Sequence, residues 1–293
     1  AMAFALTRLK GEWAEAKGES FDLAGSIIYA LTLIALMYGF SLLPDPAGAG
    51  LILAGLVGLG LFTRYELKAS HPVLEIRLFS KNQTFAFSSL ATLINYGATS
   101  AVTFLLSLYL QYIKAMTPQQ AGLVLVAQPI VQAAFSPVAG RLSDRVEPRI
   151  VASAGMTLTA TGLVSLILVG PSTPLWAIVG RLMVLGFGFA LFSSPNMNAI
   201  MTSVERRYYA VASGTAGTAR LVGQMLSMGI TMLLFALNIG RVEITPEVYP
   251  LFLASMKAAF AVFTALCFGG IFASLARGEI RGEHDTEQHP AAP

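Results

Sequence analysis

Long apolar runs separated by short polar gaps make up most of this chain of 293 residues. Most of the runs are long enough to cross about 30 Å of hydrocarbon as helices. A helix satisfies its own backbone hydrogen bonds, which lipid cannot do. The pattern therefore predicts an all-α membrane protein, a helical bundle of about eight transmembrane helices, with spans at about 23–43, 48–63, 85–111, 119–140, 150–169, 175–201, 210–239 and 251–276.

The run at 48–63 is shorter than the others, and its glycines include Gly55, Gly58 and Gly60. Small residues let helix backbones approach closely, so we expect this helix to pack tightly on a neighbour. A re-entrant hairpin is the alternative. If that segment did not cross, every later gap would change sides, and the charge pattern described next would be inverted.

The basic residues fall mainly in alternate gaps. If successive gaps lie on opposite sides of a bilayer, one side holds fourteen of the 19 Lys and Arg residues. The other side holds only Lys114 and Arg241, while Arg181, Arg220 and Lys257 lie inside spans. Cytoplasmic loops are enriched in Lys and Arg in this way. We therefore predict a multi-pass protein of the cell membrane with both ends in the cytoplasm.

Composition supports this class and excludes others. Hydrophobic residues make up 55% of the chain and charged residues 12%, far from the average soluble domain. The net charge of +3 arises in short loops, where anionic lipid surfaces account for it, so we expect the lipid bilayer and no nucleic acid as a partner. The single cysteine, Cys267, has no partner for a disulfide or a thiolate metal site. We predict no metal and no cofactor.

The gaps divide the chain into five segments. The first residues are apolar up to Arg8 and resemble the last turns of an earlier helix, so we expect the carboxyl-terminal portion of a longer protein. The predicted segments are a connector at 1–22, a two-helix transmembrane hairpin at 23–63, a cytoplasmic or interfacial segment at 64–84, a six-helix transmembrane bundle at 85–276, and a disordered cytoplasmic tail at 277–293.

Two features within these segments concern helix shape. The 64–84 segment alternates apolar and charged residues from Val73 to Lys81, which suits either a short helix on the membrane surface or an irregular loop. Pro129, Pro137 and Pro195 lie inside predicted spans. Proline bends a helix and releases a carbonyl group, so we expect bent helices at these positions.

The loop between the fourth and fifth spans carries the most specific motif. It contains Gly140, Arg141, Asp144, Arg145 and Arg149 in the string Gly-Arg-Leu-Ser-Asp-Arg-Val-Glu-Pro-Arg. This string resembles the cytoplasmic loop signature of the major facilitator superfamily, although a Glu-Pro pair stands where a glycine usually follows. The resemblance implies that Asp144 helps to latch the cytoplasmic side of a transporter. The alternative is that Asp144 only balances the charge of the loop arginines.

Three further stretches resemble the fourteen-helix drug:proton antiporter branch of that superfamily. They are Phe21–Gly25, His71–Phe79 and Ala212–Gly223, the last leading to Arg220. The resemblance implies a secondary transporter that works by alternating access, exports small amphipathic or cationic compounds and uses protons as coupling ion. It also implies that six amino-terminal helices precede this chain. A partial chain without activity, needing that missing amino-terminal half, is the alternative.

Polar residues inside the spans are the candidates for a transport pathway. Arg220 lies too deep to reach the membrane surface easily, and a buried arginine needs a wet cavity or a partner. No Asp, Glu or His lies in mid-span, so a proton-coupling carboxylate would have to lie in the missing helices. The candidate pathway or interhelical residues are Asn95, Tyr96, Gln128, Gln132, Arg181, Asn196 and Arg220.

The sequence carries none of the short motifs of metalloproteases, serine hydrolases or phosphate-binding loops. A membrane enzyme is therefore the least supported class. We predict that the protein is not an enzyme.

Overall fold

A computed structural model describes residues 22–69, 74, 76–240 and 244–278 of the chain. These residues form eight helical spans, as the hydrophobic pattern predicts, and no strand is found among them. Predictions for residues 1–21 and 279–293 lie outside the described residues. The helices are α1 (Leu23–Leu42), α2 (Pro46–Glu66), α3 (Arg77–Lys81), α4 (Gln83–Leu108), α5 (Pro118–Leu125), α6 (Ala127–Ser143), α7 (Pro148–Ile167), α8 (Leu175–Thr202), α9 (Tyr209–Asn238) and α10 (Tyr249–Ala276).

Helices α1 and α2 form an antiparallel hairpin. The Asp22 carboxylate caps α1 by accepting a hydrogen bond from the Gly25 amide at 2.8 Å. Helix α2 is continuous over 21 residues, so the re-entrant alternative is wrong. A Cβ on Gly55 would lie 2.6 Å from the Leu36 side chain, whereas a Cβ on Gly60 would meet nothing within 4 Å. Close packing therefore holds for Gly55 and not for Gly60.

In the described part of the segment between the hairpin and α4 there is one short helix, α3, of five residues. The next residue, Asn82, caps α4 by accepting from the Phe85 amide at 2.8 Å, and its amide group donates to the Ser203 carbonyl. The described part of this segment is therefore partly helical. Its position at the membrane surface stays a prediction.

The fourth predicted span is broken into α5 and α6 at Val126. Pro129 explains the break, because a proline has no amide hydrogen for the carbonyl four residues earlier and its ring clashes with that carbonyl. The carbonyl concerned belongs to Leu125, the last residue of α5. Pro137 and Pro195 remain inside α6 and α8.

The buried core lies among α4, α7, α8 and α10, where Leu105, Met156, Leu182 and Phe260 are almost fully buried. Helix α6 packs chiefly on α8, and the short helix α5 contacts both α4 and α8. Helix α9 packs chiefly on α4, and the hairpin packs chiefly on α9. Within the most apolar 18 residues of each span, only 11% are buried in Pro118–Ser143, against 56% in Gln83–Ile113. The half-bundle therefore has a well-packed centre and two poorly covered flanks, α5–α6 and α9.

The two ends of the bundle agree with the alternation of the gaps. At one end the Thr84 hydroxyl, near the start of α4, donates to the Arg277 carbonyl just after α10 at 2.8 Å. At the opposite end the Lys114 ammonium donates to the Pro171 carbonyl at 2.7 Å. The charge pattern assigns the first end to the cytoplasm, and that assignment stays a prediction.

Candidate functional site

An open groove of about 380 Å³ lies where α5 and α6 meet α4. Gln128 and Gln132 both line it, as their four-residue spacing on one helix face predicts. Both glutamines are half-buried. The remaining lining combines one hydroxyl with apolar side chains and a proline: Thr103, Gly122, Leu125, Val126 and Pro129. Such a surface offers neutral hydrogen-bonding groups in an apolar setting.

An aromatic pair connects α4 with α8. The rings of Tyr96 and Phe189 meet edge to face, with centroids 5.2 Å apart. A Cβ on Gly223 of α9 would lie 3.1 Å from the Tyr96 Cβ, so α9 closes on the same position. Tyr96 remains half-buried. It therefore lies at the junction of three helices rather than in the densest part of the core.

Arg220 is exposed on α9, eleven residues after the first residue of that helix. At 1.5 Å per residue it lies about 17 Å along the helix axis. Its neighbours on the same face include Ser213 and Gly217, and a Cβ on Gly217 would meet nothing within 4 Å. The guanidinium thus projects from a face of small residues that no other described helix covers.

Arg181 lies near the end of the bundle that contains Lys114, six residues after the start of α8. It is half-buried, and it interacts electrostatically with Tyr109, whose hydroxyl donates to the Gly170 carbonyl at 2.8 Å. Its Nη1 atom is buried and has no hydrogen-bond partner among the described residues. The structure does not bring Arg181 to the glutamine groove.

Asn95 is fully buried in the middle of α4. Neither amide atom of its side chain has a hydrogen-bond partner within the described part of the chain. Ser88, Thr92 and Thr99 are also buried and lie on the same face of α4, at intervals of three or four residues. A polar stripe therefore runs along the inner face of this helix.

The loop motif lies where α6 ends and α7 begins. Gly140 faces α8, because a Cβ there would lie 3.3 Å from the Ser194 hydroxyl. Arg141, Asp144 and Arg145 are exposed, and Arg149 is half-buried in the first turn of α7. Asp144, Arg145 and Arg149 all take part in polar or electrostatic interactions. The spacing of the motif therefore gathers its charges at one turn between two helices.

Asn196 belongs to a buried network that the sequence only partly indicates. Its amide nitrogen donates to the Thr92 hydroxyl at 2.8 Å and to the Ser88 carbonyl at 3.1 Å. Its amide oxygen accepts from Nη1 of Arg277 at 2.9 Å. The same Nη1 atom lies 3.3 Å from the Ser88 hydroxyl. Asn196 is thus an interhelical residue, linked to both α4 and the end of α10.

Sequence reasoning missed Arg277, Ser88 and Thr92. Arg277 directly follows an apolar run, and the pattern places it in a polar gap, so nothing in the sequence indicates that it is fully buried. The four-residue spacing of Ser88 and Thr92 is a weak signal of a polar helix face. Only the packing of α8 and α10 against that face reveals the partners.

Carboxylates in the described residues lie at helix ends. Asp22 and Asp45 cap α1 and α2, and Glu147 precedes α7. Glu66 is the last residue of α2 and is 3% exposed, accepting from the Leu74 amide at 3.1 Å. The sequence pattern places Glu66 in a polar gap, where an exposed side chain is expected, so its burial is seen only in the structure. No Asp or Glu lies in mid-span within the described ranges.

Comparison with known proteins adds independent findings. The sequence model of the Major Facilitator Superfamily matches residues 88–292. The uncharacterized transporter YebQ of Escherichia coli is 31% identical over 242 residues, covering 81% of this chain and 52% of that protein. The riboflavin transporter RibZ of Clostridioides difficile is 25% identical over 87% of this chain and 56% of its own length.

A tetracycline resistance determinant of Streptomyces rimosus is 29% identical over 235 residues, covering 75% of this chain and 65% of that protein. The chain spans about half the length of the curated relatives that it matches first. The matched region of the superfamily begins within α4 and includes the half-bundle with its groove.

Proposed function

Because this chain belongs to the Major Facilitator Superfamily, we propose that it forms the carboxyl-terminal portion of a proton-coupled exporter of small amphipathic or cationic compounds. The exporter works by alternating access between two half-bundles. The pair α1–α2 corresponds to the two extra central helices of the fourteen-helix branch. Both ends of the chain lie on the cytoplasmic side of the cell membrane.

One observation carries this proposal: the exposed guanidinium of Arg220, about 17 Å along a membrane-spanning helix. An arginine at the centre of a lipid-facing helix costs about 2.5–3.5 kcal/mol on insertion scales and more in simulations. That cost disappears if its helix face meets a water-filled cavity or a partner. We infer that this face of α9 points toward the missing half rather than toward lipid.

The second flank supports the same arrangement. Helices α5 and α6 are poorly covered, and Gln128 and Gln132 line an open groove there. Amide side chains facing lipid would lack hydrogen-bond partners, which is unfavourable in hydrocarbon. We infer that the groove and the Arg220 face flank one central pathway, with Tyr96 between them. Its mixture of apolar, aromatic and amide groups suits amphipathic compounds.

The relatives indicate which compounds to test. Two of them are named for riboflavin and tetracycline, both of which combine aromatic rings with polar groups. No carboxylate lies at mid-membrane depth within the described residues. We therefore propose that the carboxylates that bind protons and cations lie in the amino-terminal half.

The test is a flux assay in lipid vesicles with two forms of the protein. One form is this chain alone, and the other is the complete reading frame that encodes it. We expect efflux of tetracycline, riboflavin or the cationic dye ethidium from the complete protein, faster with an imposed pH gradient. We expect none from the chain alone. Gln128→Leu with Gln132→Leu should lower flux, while Gln119→Leu, an exposed residue before the groove, should not.

Two results would contradict the proposal. If the complete protein transports at the same rate with and without a pH gradient, transport is not coupled to protons. If the chain alone transports as fast as the complete protein, no second half is needed for transport.

A further inference from the structure

Arg277 is the largest side chain that the described structure buries completely. It follows the last residue of α10, at the end of the bundle where α4 begins and α8 ends. Arginine is normally among the residues least often fully buried, unless it is paired. Its burial therefore needs an explanation beyond loop topology.

The polar contacts of Arg277 join three helices. Its Nη1 atom donates to the Asn196 side chain of α8 at 2.9 Å and lies 3.3 Å from the Ser88 hydroxyl of α4. Its own carbonyl accepts from the Thr84 hydroxyl of α4 at 2.8 Å. Asn196 in turn donates to Thr92 of α4. Each helix end is therefore fixed to the other two through one guanidinium and one amide.

The electrostatic surroundings connect this centre to the loop motif. Burial lowers the pKa of Arg277 to about 10, while the negative charge of Glu147 raises it and the positive charge of Arg149 lowers it. At neutral pH the guanidinium therefore remains protonated. Glu147 and Arg149 lie at the end of the loop motif, on either side of Pro148, the first residue of α7. The buried cation thus responds to charges on a fourth helix.

Among the described residues, one of the three guanidinium nitrogens, Nη1, makes hydrogen bonds. Nε and Nη2 are buried and have no hydrogen-bond partner among the described residues. The position of the guanidinium therefore depends on Asn196 and Ser88. Removing one member of such a buried polar pair leaves the other uncompensated, which opposes separation of the helices that carry them.

We propose that Arg277 is a positioning residue that holds the ends of α4, α8 and α10 in one fixed arrangement, with Glu147 supplying the opposite charge from α7. These helices carry the candidate pathway residues Asn95, Tyr96 and Asn196. The half-bundle then moves as one body when the loop motif changes state. The consequence for transport rests on the proposed function, but the fixed arrangement can be measured without any transport.

A role limited to filling space predicts a different result in one double variant. In Arg277→Met with Asn196→Leu, both polar partners are replaced by apolar side chains, so that neither leaves the other unpaired. Such paired replacement is often nearly neutral for stability. The double variant still fills the space between the helices, but it loses the polar connection from α10 through Arg277 to α4 and α8.

The experiment uses the whole chain in lipid vesicles, with Cys267→Ala removing its single cysteine. Spin labels are attached to new cysteines at Thr202 and Leu275, which are exposed near the ends of α8 and α10. Pulsed electron paramagnetic resonance then gives the distribution of distances between the labels. Thermal unfolding of each variant is recorded in parallel.

We expect a single narrow distribution for the parent chain and for Arg277→Lys, which retains the charge. The matched control Arg64→Met removes an exposed arginine at the end of α2 and should also leave it narrow. The double variant should unfold near the parent temperature and yet show a broadened or divided distribution. A distribution as narrow as that of the parent overturns the proposal.

A second variant serves if the double variant does not fold. Arg277→Gln keeps a polar amide on a shorter side chain but removes the charge, and we expect it to broaden the distribution as well. A narrow distribution in this variant overturns the proposal equally. Failure of the complete protein to transport would contradict the proposed function and leave these label distances unaffected.

Discussion

The backbones of Gly155 on α7 and Gly188 on α8 are in direct contact. A Cβ on Gly155 would lie 2.7 Å from the Gly188 carbonyl oxygen, and a Cβ on Gly188 would lie 2.9 Å from the Gly155 carbonyl oxygen. Lipid provides no hydrophobic driving force between helices, so close van der Waals packing of small residues contributes much of their association. These two glycines allow α7 and α8 to form the most extensive helix pair of the half-bundle.

We predict that Gly188→Ala destabilises the protein by about 1–3 kcal/mol, the usual cost of an overpacked core. The added methyl group would meet the backbone nitrogen of Thr159 at 2.8 Å, and backbone cannot move aside as a side chain can. Thermal unfolding in detergent or lipid measures the loss.

Gly180 provides the control on the same helix, because a Cβ there would meet nothing within 4 Å. Gly180→Ala should be neutral or stabilising, since alanine favours a helix interior by about 0.5–1 kcal/mol over glycine. Equal unfolding temperatures for the two variants would show that the contact between α7 and α8 does not limit stability.

A second prediction concerns the contact between α4 and α9. The Ser227 hydroxyl accepts a hydrogen bond from the Ala101 backbone amide at 3.0 Å, and both residues are fully buried. Ser227→Ala removes the acceptor and should cost about 0.6–2 kcal/mol, the range for interhelical polar contacts in membranes. Ser213→Ala, on an exposed position of the same helix, should cost less. Thermal unfolding distinguishes them, and equal losses would contradict the role of this bond.

A third prediction tests the exposed face of α9. Arg220→Gln removes a charge that no other described helix covers, so folding stability should change little. Flux through the complete protein should fall, because the proposal places this charge in the pathway. Arg64→Gln, an exposed arginine at the end of α2, is the control and should leave flux unchanged. Normal flux with Arg220→Gln would contradict a role of Arg220 in the pathway.

A fourth prediction concerns the loop motif. Asp144 directly follows the last residue of α6 and is exposed, so Asp144→Asn should fold normally. If Asp144 latches the cytoplasmic side, the variant in the complete protein should spend more time open to the cytoplasm. Labelling rates of single cysteines placed along the pathway, from each side of the membrane, measure this balance. Unchanged rates from both sides would reduce Asp144 to balancing the charge of the loop.

The sequence by itself determined the class of the protein and most of its elements. Eight apolar runs gave eight helical spans, because only internal hydrogen bonding satisfies a backbone in lipid. The break between α5 and α6 also has a local cause, since Pro129 lacks the hydrogen atom that the Leu125 carbonyl needs. The loop motif in the sequence resembles that of the superfamily, and the superfamily match confirms the family.

Only the tertiary structure decided which polar residues meet. Gln128 and Gln132 share a groove because α5 and α6 pack on the core with one face and leave another uncovered, whereas Asn196 is buried against α4. The sequence indicates that Arg277 is an exposed loop residue, but the structure buries it at the junction of α4, α8 and α10. Hydropathy is a property of neighbours along the chain, but burial and hydrogen bonding depend on helices that are far apart in sequence.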